Sequence, residues 1–221
     1  METLVLACAA FLATHFVSST PLRGALAGAV GEKAYQGIYS LIAFATLGWM
    51  IWAYGRAPVE ILWPGLRLVP AIVMPFAFIL IACGLLSRNP TLAGAGRLLQ
   101  REDAASGILR ITRHPMMWGF ALWALAHILA RGELKATVFF GSFLVLALLG
   151  AMSIDRRRAA SAGEDWKRFA AATSFVPFAA IAAGRNRLVA AEIGWRNPVI
   201  GLVLYAVVFW FHPVLFGARA W

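Results

Sequence analysis

Six apolar runs set the limits on what this chain can fold into. They cover about 4–19, 39–54, 69–86, 115–130, 136–152 and 199–216, and Gly, Pro and Arg separate them. An upright crossing of a bilayer needs roughly 20 apolar residues, so several runs must recruit their flanks. Hydrocarbon offers backbone amides no hydrogen-bonding partner, so runs of this kind span as helices. The expectation is an all-α polytopic transmembrane helical bundle of about six spans. Composition agrees. Of the 221 residues 61% are hydrophobic and only 14% charged, too few polar side chains to cover a water-facing surface.

The net charge of +10 comes from 20 Lys and Arg against 10 Asp and Glu. Such a balance can mark a nucleic-acid partner, but here the basic residues lie in short links between apolar runs. If six runs span, fifteen of them fall on one side and five on the other. The positive-inside rule puts the richer side in the cytoplasm and both termini outside, so the partner is a lipid bilayer and not nucleic acid. The placement expected is the bacterial inner (cytoplasmic) membrane. The first run lacks a basic leader and reads as a retained span. Cys8 and Cys83 lie within apolar runs and form no CxxC or Cys/His metal spacing.

The five-residue link Arg131-Gly-Glu-Leu-Lys135 predicts an antiparallel helical hairpin. The long connection, about 154–197, alternates basic residues with Trp166, Phe169 and Phe178, which suits helices lying in the headgroup layer. One domain, 1–221, is expected.

Four histidines, His15, His114, His127 and His212, lie within or at the edge of apolar runs. An ionisable residue in a span is costly and points to function. A neutral imidazole bonded to a neighbouring helix is the plainer alternative. Two roles suit several such rings, a proton relay or ligation of a metal or haem iron. A relay usually needs carboxylates in the spans. Glu60, Glu102, Asp103, Glu133, Asp155, Glu164 and Asp165 all read as connections, which favours ligation. Met116, Phe120, Trp123 and His127 share one helical stripe, and so do Leu4, Cys8, Phe11 and His15. Either stripe could face a porphyrin or simply pack. Arg113 and His114 precede Pro115 at a helix start, at headgroup depth, where they could hold a haem propionate or lipid phosphate or serve as a topological anchor. By depth alone, His15 pairs with His114 and His127 with His212.

Seven segments together resemble one family. They are Ala13-Thr-His15, Gly31-Glu-Lys-Ala-Tyr35, Ile111-Thr-Arg-His-Pro115, Leu122-Trp-Ala-Leu-Ala-His127, Gly163-Glu-Asp165, Phe175-Val-Pro-Phe178 with Gly184-Arg185, and His212-Pro213. In order and spacing the chain resembles the NnrU family and its relative, the plant and cyanobacterial zeta-carotene isomerase, from about Ala13 to Phe216. The resemblance implies a membrane protein linked to nitric oxide and denitrification. Its alternative implication is a haem-dependent cis–trans isomerase of a carotenoid. It implies haem b, with His15 and His127 as iron ligands. The isomerase has a cysteine three residues before the second ligand, and here that position is Ala124. Partners so implied are an apolar isoprenoid or nitric oxide, or a membrane complex. The stretch from Arg113 to Pro177 also resembles membrane methyltransferases of the isoprenylcysteine type.

Overall fold

In the computed structural model, which describes residues 1–20 and 22–218, every one of the six apolar runs lies in a helix. The helices are α1 (Glu2–Val17), α2 (Leu22–Val30), α3 (Glu32–Arg56), α4 (Leu68–Leu86), α5 (Pro115–Arg131), α6 (Leu134–Ala172), α7 (Ala179–Ala182), α8 (Ala190–Ile193) and α9 (Arg196–Phe216). Four of them, α3, α4, α6 and α9, are long and apolar enough to cross a membrane alone. α1 and α2, bent by 76° to each other, would together make a fifth. α5 has 17 residues, roughly 25 Å of rise against a hydrocarbon core of about 30 Å. Six is thus an approximate count of crossings.

Helix packing relies on small residues, as it must where lipid tails compete for every apolar face. Gly119 of α5 sits on Ala77 and Ile81 of α4, and Gly84 of α4 sits on the backbone of Met116. Gly201 of α9 rests against the backbone of Phe78 and Ile79. α4 is therefore flanked closely by α5 and α9. α1 packs between α3 and α6, and its Leu4, Ala7, Cys8 and Phe11 join Met50, Ala53, Ala124, Phe139 and Phe140 in the largest core cluster.

The link between α5 and α6 makes the expected hairpin. Gly132 closes α5 with φ 63°, and a Cβ there would strike the Trp63 carbonyl. The 57–67 loop docks on this turn: Leu62 N–H donates to the Gly132 carbonyl (2.8 Å) and Leu134 N–H to the Glu60 carbonyl (2.9 Å). Glu133 and Lys135 are buried there, not exposed link residues.

The connection after the fifth apolar run differs from expectation. The helix does not stop near Met152 but runs on to Ala172, with one break at Gly163 (φ 49°, ψ −124°). Up to that break α6 rises roughly 43 Å, so it projects beyond one hydrocarbon thickness. Asp155 and the three arginines after it lie inside this helix.

A carboxylate-locked imidazole at the basic end and two histidines in the bundle

Three of the sequence motifs converge on one site at the basic end of the bundle. His114 precedes α5, with Pro115 at the first helical position. Its ring is wholly buried, and its Nε2 lies 2.6 Å from Asp155 Oδ1 of α6. Arg113 grips the same carboxylate: Nε is 2.9 Å and Nη2 2.6 Å from Oδ2. The guanidinium also lies 5.7 Å from the centre of the Trp166 ring, beyond the break at Gly163. An acceptor-only carboxylate facing Nε2 makes it a donor, so in the neutral ring Nδ1 carries the lone pair. Nδ1 is buried and has no hydrogen-bonding partner.

The Phe175-Val-Pro-Phe178 segment clamps this site from the other side. Thr112 Oγ1 (2.7 Å) and Trp118 Nε1 (2.8 Å) both donate to the Phe175 carbonyl. Arg113 N–H donates to the Ser174 carbonyl (3.0 Å), and Phe178 N–H to that of Ile111 (2.8 Å). Phe178 itself takes φ 66°, a backbone conformation costly for a bulky residue, so the surrounding bonds must hold it. Arg185 Nη1 donates to the carbonyls of Ala171 (2.5 Å) and Thr173 (3.1 Å), satisfying groups that the end of α6 leaves free. Glu192 accepts from Arg110 Nε (2.6 Å) and Gly107 N–H (2.8 Å). These donors hold its carboxyl below the usual carboxylate range.

His15 and His127 share a local pattern. Each ring's Nδ1 lies 2.8 Å from the carbonyl four residues earlier, Phe11 for His15 and Trp123 for His127. Nδ1 must donate there, which leaves Nε2 with the lone pair. Metal-ligating imidazoles are commonly oriented in this way. His127 stacks on Phe140 (4.8 Å between ring centres) and tilts on Trp123 (5.3 Å). His15 lies against Phe11 (4.2 Å) and Tyr39 (6.1 Å). Both rings are half-buried.

The donor chemistry of each ring therefore fits a haem iron, one imidazole at a time. Phe11, beside His15, and Trp123, beside His127, both contact Phe143 (5.2 and 5.1 Å between ring centres), so a chain of aromatic contacts links the two histidines. His127 is within electrostatic reach of His212. His212 Nδ1 lies 2.6 Å from the Ala218 carbonyl. Among the described residues no group of three or more His, Cys, Asp or Glu is placed to hold a metal ion.

Of the residues singled out from sequence, Arg113 and His114 come together, but both turn to Asp155 before any outside anion. The reading that places Asp155, Glu164 and Asp165 in a connection fails, because α6 contains all three, the last two beyond the break; Asp155 is the one that reaches this site. Hydropathy could not find it, because its partners lie 41 and 42 residues away.

A family model described as NnrU protein matches residues 3–220. Two curated relatives are both named 15-cis-zeta-carotene isomerase, chloroplastic. The chain is 38% identical to the one from Arabidopsis thaliana over 118 residues and 35% identical to the one from Zea mays over 113. The matches cover 51% and 50% of this chain but only 32% and 31% of those proteins. The matched stretch thus spans about a third of the length of these relatives. No solved structure matches.

Proposed function

This chain belongs to the NnrU protein family, and from that premise we propose that it is a multi-pass protein of the bacterial inner membrane that isomerises a cis double bond of an apolar isoprenoid. The relatives' printed names supply the substrate class. The observation that carries the reading is the aromatic wall formed by Trp123, His127 and Phe143, which are only half-buried within the bundle, backed by the buried Phe140. A polyene entering from lipid would lie against these ring faces and lose its hydration at no cost, since it has none.

Haem b belongs to the same proposal. His15 and His127 would hold it, each through the Nε2 that its Nδ1 hydrogen bond leaves free. The iron would supply one-electron redox chemistry. The chain's own residues orient His127 through the Trp123 carbonyl, exclude water with Phe140 and Phe143, and leave one side open to lipid. Ala124 stands where the isomerase has its cysteine, so iron here would have no thiolate from that position. The same site would admit nitric oxide, a small apolar molecule that binds haem iron, which is the second reading.

The test is expression in a bacterium engineered to accumulate the cis carotene. Conversion to the trans isomer on chromatography, abolished by His127→Ala, is the expected result. Unchanged pigment beside verified protein overturns the isomerase reading. A reduced-minus-oxidised spectrum of the purified protein tests the haem separately, and no Soret band from haem-replete cells would remove it.

A further inference from the structure

Beside His114 lies a small cleft of about 10 Å³, room for a single ion or water, lined by Asn89, Thr91, Leu92, Met116, Met117 and Ile154 along with the imidazole. We propose that this cleft is a binding site for monovalent copper, Cu(I), held by His114 Nδ1 and the thioethers of Met116 and Met117. The inference is independent of the isomerase reading and of haem at His127.

Three observations point there. First, His114 Nδ1 is a buried lone pair with no partner, on a ring with no exposed surface. A buried acceptor left unpaired is costly, so something absent from the protein itself is expected to meet it. Second, Asp155 fixes the ring through Nε2, which is the carboxylate–histidine arrangement that orients metal-bound imidazoles and raises their basicity. Third, two methionines of the first turn of α5 line the same cleft. Imidazole with thioether sulfur is a soft donor set, which selects Cu(I) over hard cations.

Charge decides between candidate metals. Among the described residues the carboxylate bonded to the ring is Asp155, which is already shared by Arg113 and His114. A divalent ion would enter beside the Arg113 cation with no anion left to offset it. A single positive charge on a soft, weakly hydrated ion is the least costly to place there. Asn89 and Thr91 are committed to one another: Asn89 Oδ1 accepts from Thr91 N–H (3.0 Å) and Oγ1 (2.8 Å). They offer little to a hard cation.

The experiment uses the full chain, purified in detergent from haem-replete cells and titrated anaerobically with Cu(I) against a chromophoric Cu(I) chelator. One copper per chain should survive desalting. His114→Gln should weaken binding at least tenfold. The double variant M116L/M117L keeps the helix and the apolar volume, and it should weaken binding to a similar degree. X-ray absorption of the copper-loaded protein should show sulfur as well as nitrogen ligands. C8S/C83S should leave binding unchanged, since neither thiol lines the cleft. Failure to retain copper, which would leave the cleft to a water molecule, overturns the proposal. So does retention undiminished in either the His114 or the methionine variant, or a copper spectrum without sulfur.

Discussion

Asp155→Asn removes one charge from the basic-end site while keeping its shape. In the parent, the carboxylate accepts from Arg113 Nε and Nη2 and from His114 Nε2, with the three side chains 15, 0 and 17% exposed for Arg113, His114 and Asp155. Removing one partner of a buried ion pair leaves an uncompensated charge and costs about 3–5 kcal/mol. The site lies at the rim of the bundle and is not wholly dry, so the lower end, about 3 kcal/mol, is expected here. For a chain of this length each kcal/mol corresponds to roughly 2–4 °C, so the melting temperature should fall by about 6–12 °C. Cys8 and Cys83 are both buried, so a thiol-reactive fluorophore reports unfolding of the native sequence in detergent. Arg113→Met in the Asp155→Asn background should restore part of the loss, because the stranded guanidinium goes with it. The double-mutant cycle should show coupling above about 1 kcal/mol. A fall of less than about 2 °C for Asp155→Asn, or strict additivity with Arg113→Met, would refute the claim that Asp155 carries a buried charge network.

Gly201→Ala places a Cβ 2.8 Å from the backbone of Phe78 and Ile79, which cannot yield, so α9 should shift off α4 at a cost of about 1–3 kcal/mol in the same thermal assay. Gly48→Ala, with nothing within 4 Å, is the opposite case and should stabilise α3 by up to about 1 kcal/mol. Gly163→Ala meets no neighbour either, but φ 49° with ψ −124° excludes a Cβ; a loss of about 1–3 kcal/mol is expected, from backbone strain alone. Glu192 titrates below its ordinary value of 4.5 because Arg110 and Gly107 bind its charged form. Its stabilising contribution is therefore full above pH 4.5 and is lost as the pH falls through the lower folded value. Melting followed by circular dichroism should show Glu192→Gln less stable than the parent at pH 7, with the difference shrinking as the pH falls below 4.5.

Most of the fold was legible because lipid leaves so few options. Each apolar run had to become a helix, and each did. Gly132, with only four neighbours in its link, had to reverse the chain. The count of crossings was less legible, since α1 and α5 are short and hydropathy does not say how a bent pair divides. The extension of α6 was hidden for another reason. Asp155-Arg-Arg-Arg158 ends an apolar run and so reads as a connection, yet arginine is a good helix former and nothing before Gly163 breaks the helix. Once the helix continues, its face carries Asp155 back against the start of α5. The histidine-to-iron reading of His15 and His127 rested on residue type and on resemblance. The structure adds the orientation of each ring, with Nδ1 on the carbonyl four residues earlier and Nε2 free.

Four short, separately weak motifs of the sequence meet at the basic end, and their bonding gives the reason. Thr112, Arg113 and His114 bond to Ser174, Phe175 and Asp155. Trp166 covers Arg113, Gly163 lets α6 turn so that Trp166 can reach, and Arg185 closes the end of the same helix. None of these segments can hold its conformation alone, since Phe178 is strained and the Arg113 and Asp155 charges are costly unless paired. They form one polar unit built on the lipid-embedded helices. A unit so heavily cross-bonded could serve packing alone, except that one atom in it, His114 Nδ1, is left unsatisfied on a ring that lines a small cleft. A purely structural network gains nothing by stranding a buried lone pair, whereas a binding site requires one.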